Sequence, residues 1–207
     1  MAKIEGFRIR NFRVLRDVTL GRLWNLQQAE PLTPMTVVIG KNGVGKSMPF
    51  DAFGFLADFL KSGVEEACDS RGRGGYDRIK DQGAIESIEF EIYYKEDGNA
   101  RPITYELAID LDASGRHYVQ KEWLRQRLKV QKHGWPFSFL VLNNGKGVVW
   151  KEDTEGRQIL VSQLFHTGRR AWSSTCRPAE TLEYPRRQLR VCLKRHKLIG
   201  SHPTVIL

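Results

Sequence analysis

The chain has 207 residues, 41% of them apolar and 28% charged, with a formal charge of +9; it suits one globular domain, or one domain with an appendage. No stretch approaches eighteen unbroken apolar residues, and "MAKIEGFRIRNF" scatters charge where a secretory leader needs an apolar core. Three widely spaced cysteines (Cys68, Cys176, Cys192) make neither a disulfide framework nor a CxxC metal pattern, so a reducing cytoplasm is the expected location.

The chain opens on two expected strands. In "KIEGFRIRNF" the apolar positions are Ile4, Phe7 and Ile9, and in "RVLRDVTLG" they are Val14, Val18 and Leu20. A polar connection leads to a short apolar strand, Met35 to Ile39, then a glycine-rich loop and a helix from about Lys46 to Lys61. In that helix Phe50, Phe53, Leu56, Ala57 and Leu60 recur at three and four residues and predict one buried stripe, with Gly63 at the stop. "CDSRGRGGYDRIKDQG" reads as loop, with one helical turn around Tyr76 to Lys80. The period then becomes two. Ile88, Phe90, Ile92 and Tyr94 share one strand face, and Ile103, Tyr105, Leu107, Ile109 and Leu111 share another. With the looser runs that follow, this predicts a half-buried antiparallel meander from roughly Ala84 to Val161.

Gly40-Lys41-Asn42-Gly43-Val44-Gly45-Lys46-Ser47 satisfies G-x-x-x-x-G-K-[ST] without a mismatch. Its glycines permit positive φ and close backbone approach, so that successive amides point at phosphate oxygens beside a helix N-terminus. Lys46 is placed to reach the β- and γ-phosphates, and the Ser47 hydroxyl to ligate Mg²⁺. An accidental match in a chain of this length is expected roughly once in a hundred. Pro49 is the awkward residue. With Gly45 at the N-cap it falls where an amide should first bond back, which predicts a weakened helix entry costing up to about 3 kcal/mol. Met48 is pushed off helical angles by the same ring. The cradling amides of residues 43 to 47 contain no proline, so phosphate binding is expected to survive.

In order, "RIRNFRVLRDVTL", "MTVVIGKNGVGKS", "FDAFGFLADFL", a glycine/arginine loop and a β-meander resemble the AAA, ABC-type ATPase heads of the RecF/SMC-like P-loop group, over about residues 3 to 165. They look more closely like stand-alone bacterial AAA ATPases, some linked to DNA maintenance or anti-phage defence. The resemblance implies an α/β fold with an α+β-like mix: the N-terminal lobe of such a head, with strand, phosphate loop and helix beside an antiparallel meander. It also implies a nucleoside-triphosphate hydrolase with ATP and Mg²⁺ as cofactors and Lys46 as the catalytic cation. Gly40 to Ser47 would bind nucleotide, Ser47 would hold the metal, and Arg13, the basic residue after Asn-Phe, would stand near the nucleotide. A homodimer through the head and DNA as a partner follow from the same likeness.

The departures are specific. Such heads need an apolar run ending in acidic residues (Walker B), a second glycine-serine motif and a late histidine, and none is found. Asp110 or Asp112 in "ELAIDLD" sits in a strictly alternating strand, where a hairpin end explains it better. Gln82 lies in a charged loop. The five histidines are isolated. Residues 1–168 therefore read as a partial head, weak in hydrolysis by itself. From Arg169 to Leu207, nine Lys/Arg stand against two acidic residues, whereas the preceding residues carry a surplus of only two, so the charge belongs to the tail. This aperiodic tail reads as disordered or out of the original frame. Two other classes compete: a nucleic-acid-binding module using the tail, and a P-loop small-molecule kinase. The kinase is disfavoured because a meander stands where helical lid segments would follow.

Overall fold

The computed structural model describes residues 3–33, 35–96, 100–127, 134–144, 146–152 and 158–165, with side chains described as far as Trp150. The tail from Arg169 lies outside the described residues. Eight strands make one sheet: β1 (Lys3–Phe12), β2 (Leu15–Gly21), β3 (Ile88–Lys95), β4 (Ile103–Leu111), β5 (His117–Gln126), β6 (Phe137–Asn143), β7 (Lys146–Glu152) and β8 (Gln158–Phe165). Their order is β2-β1-β3-β4-β5-β6-β7-β8. Every neighbouring pair is antiparallel. Three helices, α1 (Met48–Ser62), α2 (Val64–Asp69) and α3 (Tyr76–Ile79), fall between β2 and β3. The architecture is the α+β-like mix expected, an antiparallel meander with its helices gathered in one connection; the strand expected to lead into the glycine loop is absent among the described residues.

Alternation explains the sheet. Ile88, Phe90, Ile92 and Tyr94 on β3 and Ile103, Tyr105, Leu107 and Ile109 on β4 are all buried, at most 4% exposed. Register pairs Phe90 with Leu107 and Ile92 with Tyr105, so the apolar sets meet on one face. β1 joins the meander by pairing Phe7 with Ile92 and Ile9 with Phe90. The opposite face carries ion pairs instead: Arg8 with Asp17 at 2.8 Å, Arg10 with Glu89 at 2.9 Å, and Lys121 with Glu106.

α1 covers the apolar face. Phe55 stacks on Phe90 (centroids 5.6 Å apart), Phe12 sits beside both, and Phe7 meets Phe53 edge-on at 4.9 Å. The buried face of α1 is broader than the expected stripe: Phe55 and Phe59 are fully buried, while Phe50 and Ala57 are only half-buried. The helix entry also differs from expectation, and Pro49 is involved. The helix starts two residues late, with Ser47 at the N-cap, and Pro49 falls at the second position of the first turn. No amide is needed there, so the expected penalty does not arise. The Gly45 carbonyl, which Pro49 has no N–H to satisfy, accepts instead from the Met48 amide at 3.0 Å. Met48 stays within the helix.

Two further expectations fail. Val14 is not an inward strand residue; it lies in the β1–β2 turn and is 63% exposed, and Leu15 takes the buried place. The strand expected over Met35 to Ile39 does not form. Met35, Val37, Val38 and Ile39 are 78%, 59%, 40% and 90% exposed. A run apolar on both faces suits a strand buried from both sides, and among the described residues no strand lies beside it to supply a ladder.

Cys68 closes the core under α2 and is completely buried. Burial, with the charge of Asp69, pushes its thiol up to about 12. In the native protein at pH 8, Cys68 is expected to stay unalkylated under iodoacetamide conditions that label the unfolded chain fully. Peptide-resolved mass spectrometry reads the result, and fast native labelling of Cys68 would contradict this packing.

Candidate phosphate-binding site

The loop from Gly40 to Ser47 connects the open run to α1. Gly43 and Gly45 adopt φ of +83° and +87°, the left-handed region that an L side chain rarely enters. Gly40 through Val44 and Ser47 are exposed, and Gly45 and Lys46 are half-buried. Among the described residues none of the amides from Lys41 to Ser47 donates to a protein acceptor; the first amide that does is that of Met48. Seven consecutive donors therefore remain available to an anion. The Lys46 ammonium donates to the carbonyls of Gly40 (2.7 Å) and Lys41 (2.6 Å), folding back over its own loop. A phosphate oxygen is a stronger acceptor for it than either carbonyl. Ser47 makes no side-chain cap bond, so its hydroxyl is not committed to the helix.

The β1–β2 turn touches this loop. A Cβ on Gly45 would lie 2.7 Å from Val14 Cγ2. Arg13, beside Val14, has φ +52°. A non-glycine residue costs roughly 1 kcal/mol there. The Arg13 amide donates to the Ile79 carbonyl at 2.6 Å, tying the turn to α3. The Arg13 Nε stands 2.8 Å from Asp51 Oδ2, an ion pair without a directed hydrogen bond. Asp51 lies one turn beyond Ser47 on α1, about 6 Å along the axis. The structure thus brings Arg13 and the phosphate loop to the same end of α1.

Behind this end lies a residue the sequence reading passed over. Arg73 belongs to the glycine/arginine loop, yet it is only 2% exposed. Its Nε meets Asp51 Oδ1 at 3.1 Å, and its Nη1 meets Asp58 Oδ2 at 2.8 Å and the Ala67 carbonyl at 2.9 Å. The guanidinium lies over the Phe55 ring at 5.6 Å and against Gly54, where a Cβ would sit 3.2 Å from Nη2. Arg71 donates to the same Asp58 Oδ2 from Nε at 2.8 Å and to Oδ1 from Nη2 at 3.1 Å. Burial alone would raise the Asp58 carboxyl, but the two arginines outweigh it and hold it below its ordinary value. The signal was present: Asp51 and Asp58 seven residues apart on one helix face, flanking a glycine.

The acidic alternatives have structural duties. Asp112 accepts from the amides of Ser114 (2.8 Å) and Arg116 (3.0 Å), closing the β4–β5 hairpin as expected. Asp110 receives the Leu111 amide at 2.9 Å and pairs with Lys80 at 3.7 Å. Gln82 sits exposed in a turn. Among the described residues no three of His, Cys, Asp and Glu gather as a metal cage. A hard cation with few protein ligands, held by one hydroxyl and phosphate oxygens, is compatible with Ser47. No helix among the described residues is long and apolar enough to cross a membrane.

The G-x-x-x-x-G-K-S loop with its unpaired amides at the entrance to α1 fits a P-loop ATPase-type domain, and a family match bears on that class. The family model described as "AAA domain, putative AbiEii toxin, Type IV TA system" matches residues 35–183, well over half of the chain, and the chain belongs to that family. Neither the curated proteins nor the solved structures give a match.

Proposed function

We propose that this domain binds ATP with Mg²⁺ through Gly40–Ser47, and that alone it hydrolyses the nucleotide poorly. The observation that carries the reading is the run of unpaired amides from Lys41 to Ser47 at the start of α1. Lys46 would neutralise the β- and γ-phosphates and Ser47 would hold the metal, which supplies charge stabilisation at the transferred phosphoryl group. Arg13 would add a second cation from the β1–β2 turn. Poor turnover is supported by the duties of the two acidic candidates: Asp112 closes a hairpin, and Asp110 is engaged by the Leu111 amide and Lys80. The matching family's description reads "putative AbiEii toxin, Type IV TA system", and a task in anti-phage defence is the proposal carried by the sequence likeness. A RecF/SMC-like head, pairing with a second copy and acting in DNA maintenance, remains the finer proposal from the sequence likeness.

The test is equilibrium binding and steady-state turnover of ATP by the full chain with Mg²⁺. Saturable binding that Lys46→Ala weakens at least about tenfold, the worth of a charge-assisted contact, supports the reading. Binding indifferent to Lys46→Ala overturns the site, and brisk wild-type hydrolysis overturns the claim of weak catalysis.

A further inference from the structure

We propose that Asp51 is a positioning residue for the nucleotide: it holds Arg13 by the Nε side so that the outer fork of the guanidinium faces an incoming phosphate. This rests on the nucleotide-binding reading above. Three observations carry it. Asp51 approaches Arg13 at Nε, 2.8 Å away, and neither terminal nitrogen of Arg13 donates a hydrogen bond to a described residue. Those two terminal donors form the planar pair that matches a phosphate edge. Asp51 is itself fixed, because its other oxygen is held at 3.1 Å by Arg73, which is buried and anchored again on Asp58. Finally, the arginine stands in a turn whose next residue, Val14, lies against Gly45 of the loop. A flexible cation would lose side-chain freedom on meeting a phosphate; one ion-paired with a fixed carboxylate has lost part of it already.

The chain of contacts runs from Asp58 through Arg73 and Asp51 to Arg13, and it makes the position of Arg13 depend on the glycine/arginine loop. Asp51 does not touch the nucleotide in this arrangement. Its whole effect on binding passes through Arg13, which distinguishes it from a residue that merely keeps α1 folded.

A double-mutant cycle on the full chain tests this, using Mg²⁺-ATP affinity and urea stability as separate readouts. Arg13→Ala is expected to weaken ATP binding about tenfold. Asp51→Asn is expected to weaken it several-fold in the wild-type background and not at all in the Arg13→Ala background, while destabilising both backgrounds alike through Arg73. An equal loss of affinity from Asp51→Asn in both backgrounds, or none in either, overturns the proposal. Where Asp51→Asn fails to fold, Asp51→Glu keeps a charge for Arg73 while displacing the carboxylate by one methylene, and the same comparison decides. Failure of the nucleotide reading itself looks different: ATP binding is then absent, or unmoved by Lys46→Ala.

Discussion

Replacing Arg73 by alanine lowers the unfolding free energy by about 3–5 kcal/mol, the loss typical of removing one partner from a buried ionic cluster. The size follows from what is left behind. Arg73 is 2% exposed and bridges Asp51 and Asp58 while donating to the Ala67 carbonyl. Without it, two carboxylates on the same helix face lose a shared cation, and Phe55 loses the group stacked on it. Arg73→Lys does not rescue, because one ammonium cannot reproduce a planar group that meets two carboxylates through different nitrogens. Urea denaturation measures the difference, and a loss below about 1 kcal/mol, ordinary for an exposed pair, would refute the cluster's importance. The pH dependence has a definite sign. Asp58 is held below its ordinary value of 3.8, so its contribution is fully present above that value and is lost as pH falls through the lower folded-state value. Acid should therefore narrow the gap between wild type and Arg73→Ala.

Gly45→Ala is the second large effect, and it falls on binding rather than on the global fold. Alanine at φ +87° is strained by about 1–2 kcal/mol. Its methyl group also meets Val14 Cγ2 at 2.7 Å and Met48 Cγ at 3.5 Å. Relief comes from turning the exposed Val14 side chain, which then no longer braces the loop, or from parting the loop and the β1–β2 turn, which disperses the amides and draws Arg13 away. Affinity for Mg²⁺-ATP should fall about tenfold or more. Gly43→Ala is the control: its φ is +83°, but nothing lies within 4 Å of the added carbon, so the loss should be smaller. Val14→Ala should recover part of the binding lost in Gly45→Ala. A Gly43→Ala loss exceeding that of Gly45→Ala would reject this contact as the cause.

The meander was legible because a half-buried strand writes its burial into every second residue. On β3 and β4 the apolar face is buried from Ile88 to Tyr94 and from Ile103 to Ile109, although Tyr93, Thr104 and Ala108 on the other face are buried as well. The bend of the loop was legible because positive φ at positions 43 and 45 calls for glycine. Met35–Ile39 misled for a physical reason: an apolar run records the capacity to be buried from both sides, not the presence of neighbours. The start of α1 was misplaced because the glycine at 45 was taken as the N-cap, whereas the missing N–H of Pro49 shifts the first turn to Ser47. Arg73 was hidden because a loop dense in glycine and charge reads as solvated. Only the pairing of two aspartates with a helical glycine could have betrayed it.

The open run beside the phosphate loop bears on how the protein behaves in a tube. Met35–Ile39 is uncharged, β-branched in all but Met35 and free of proline, the composition that stacks copy upon copy into cross-β material. What opposes that stacking is the repulsion between molecules carrying +9 each. Colloidal stability is accordingly borrowed from long-range charge, and added electrolyte, by shortening the range of that repulsion, withdraws it.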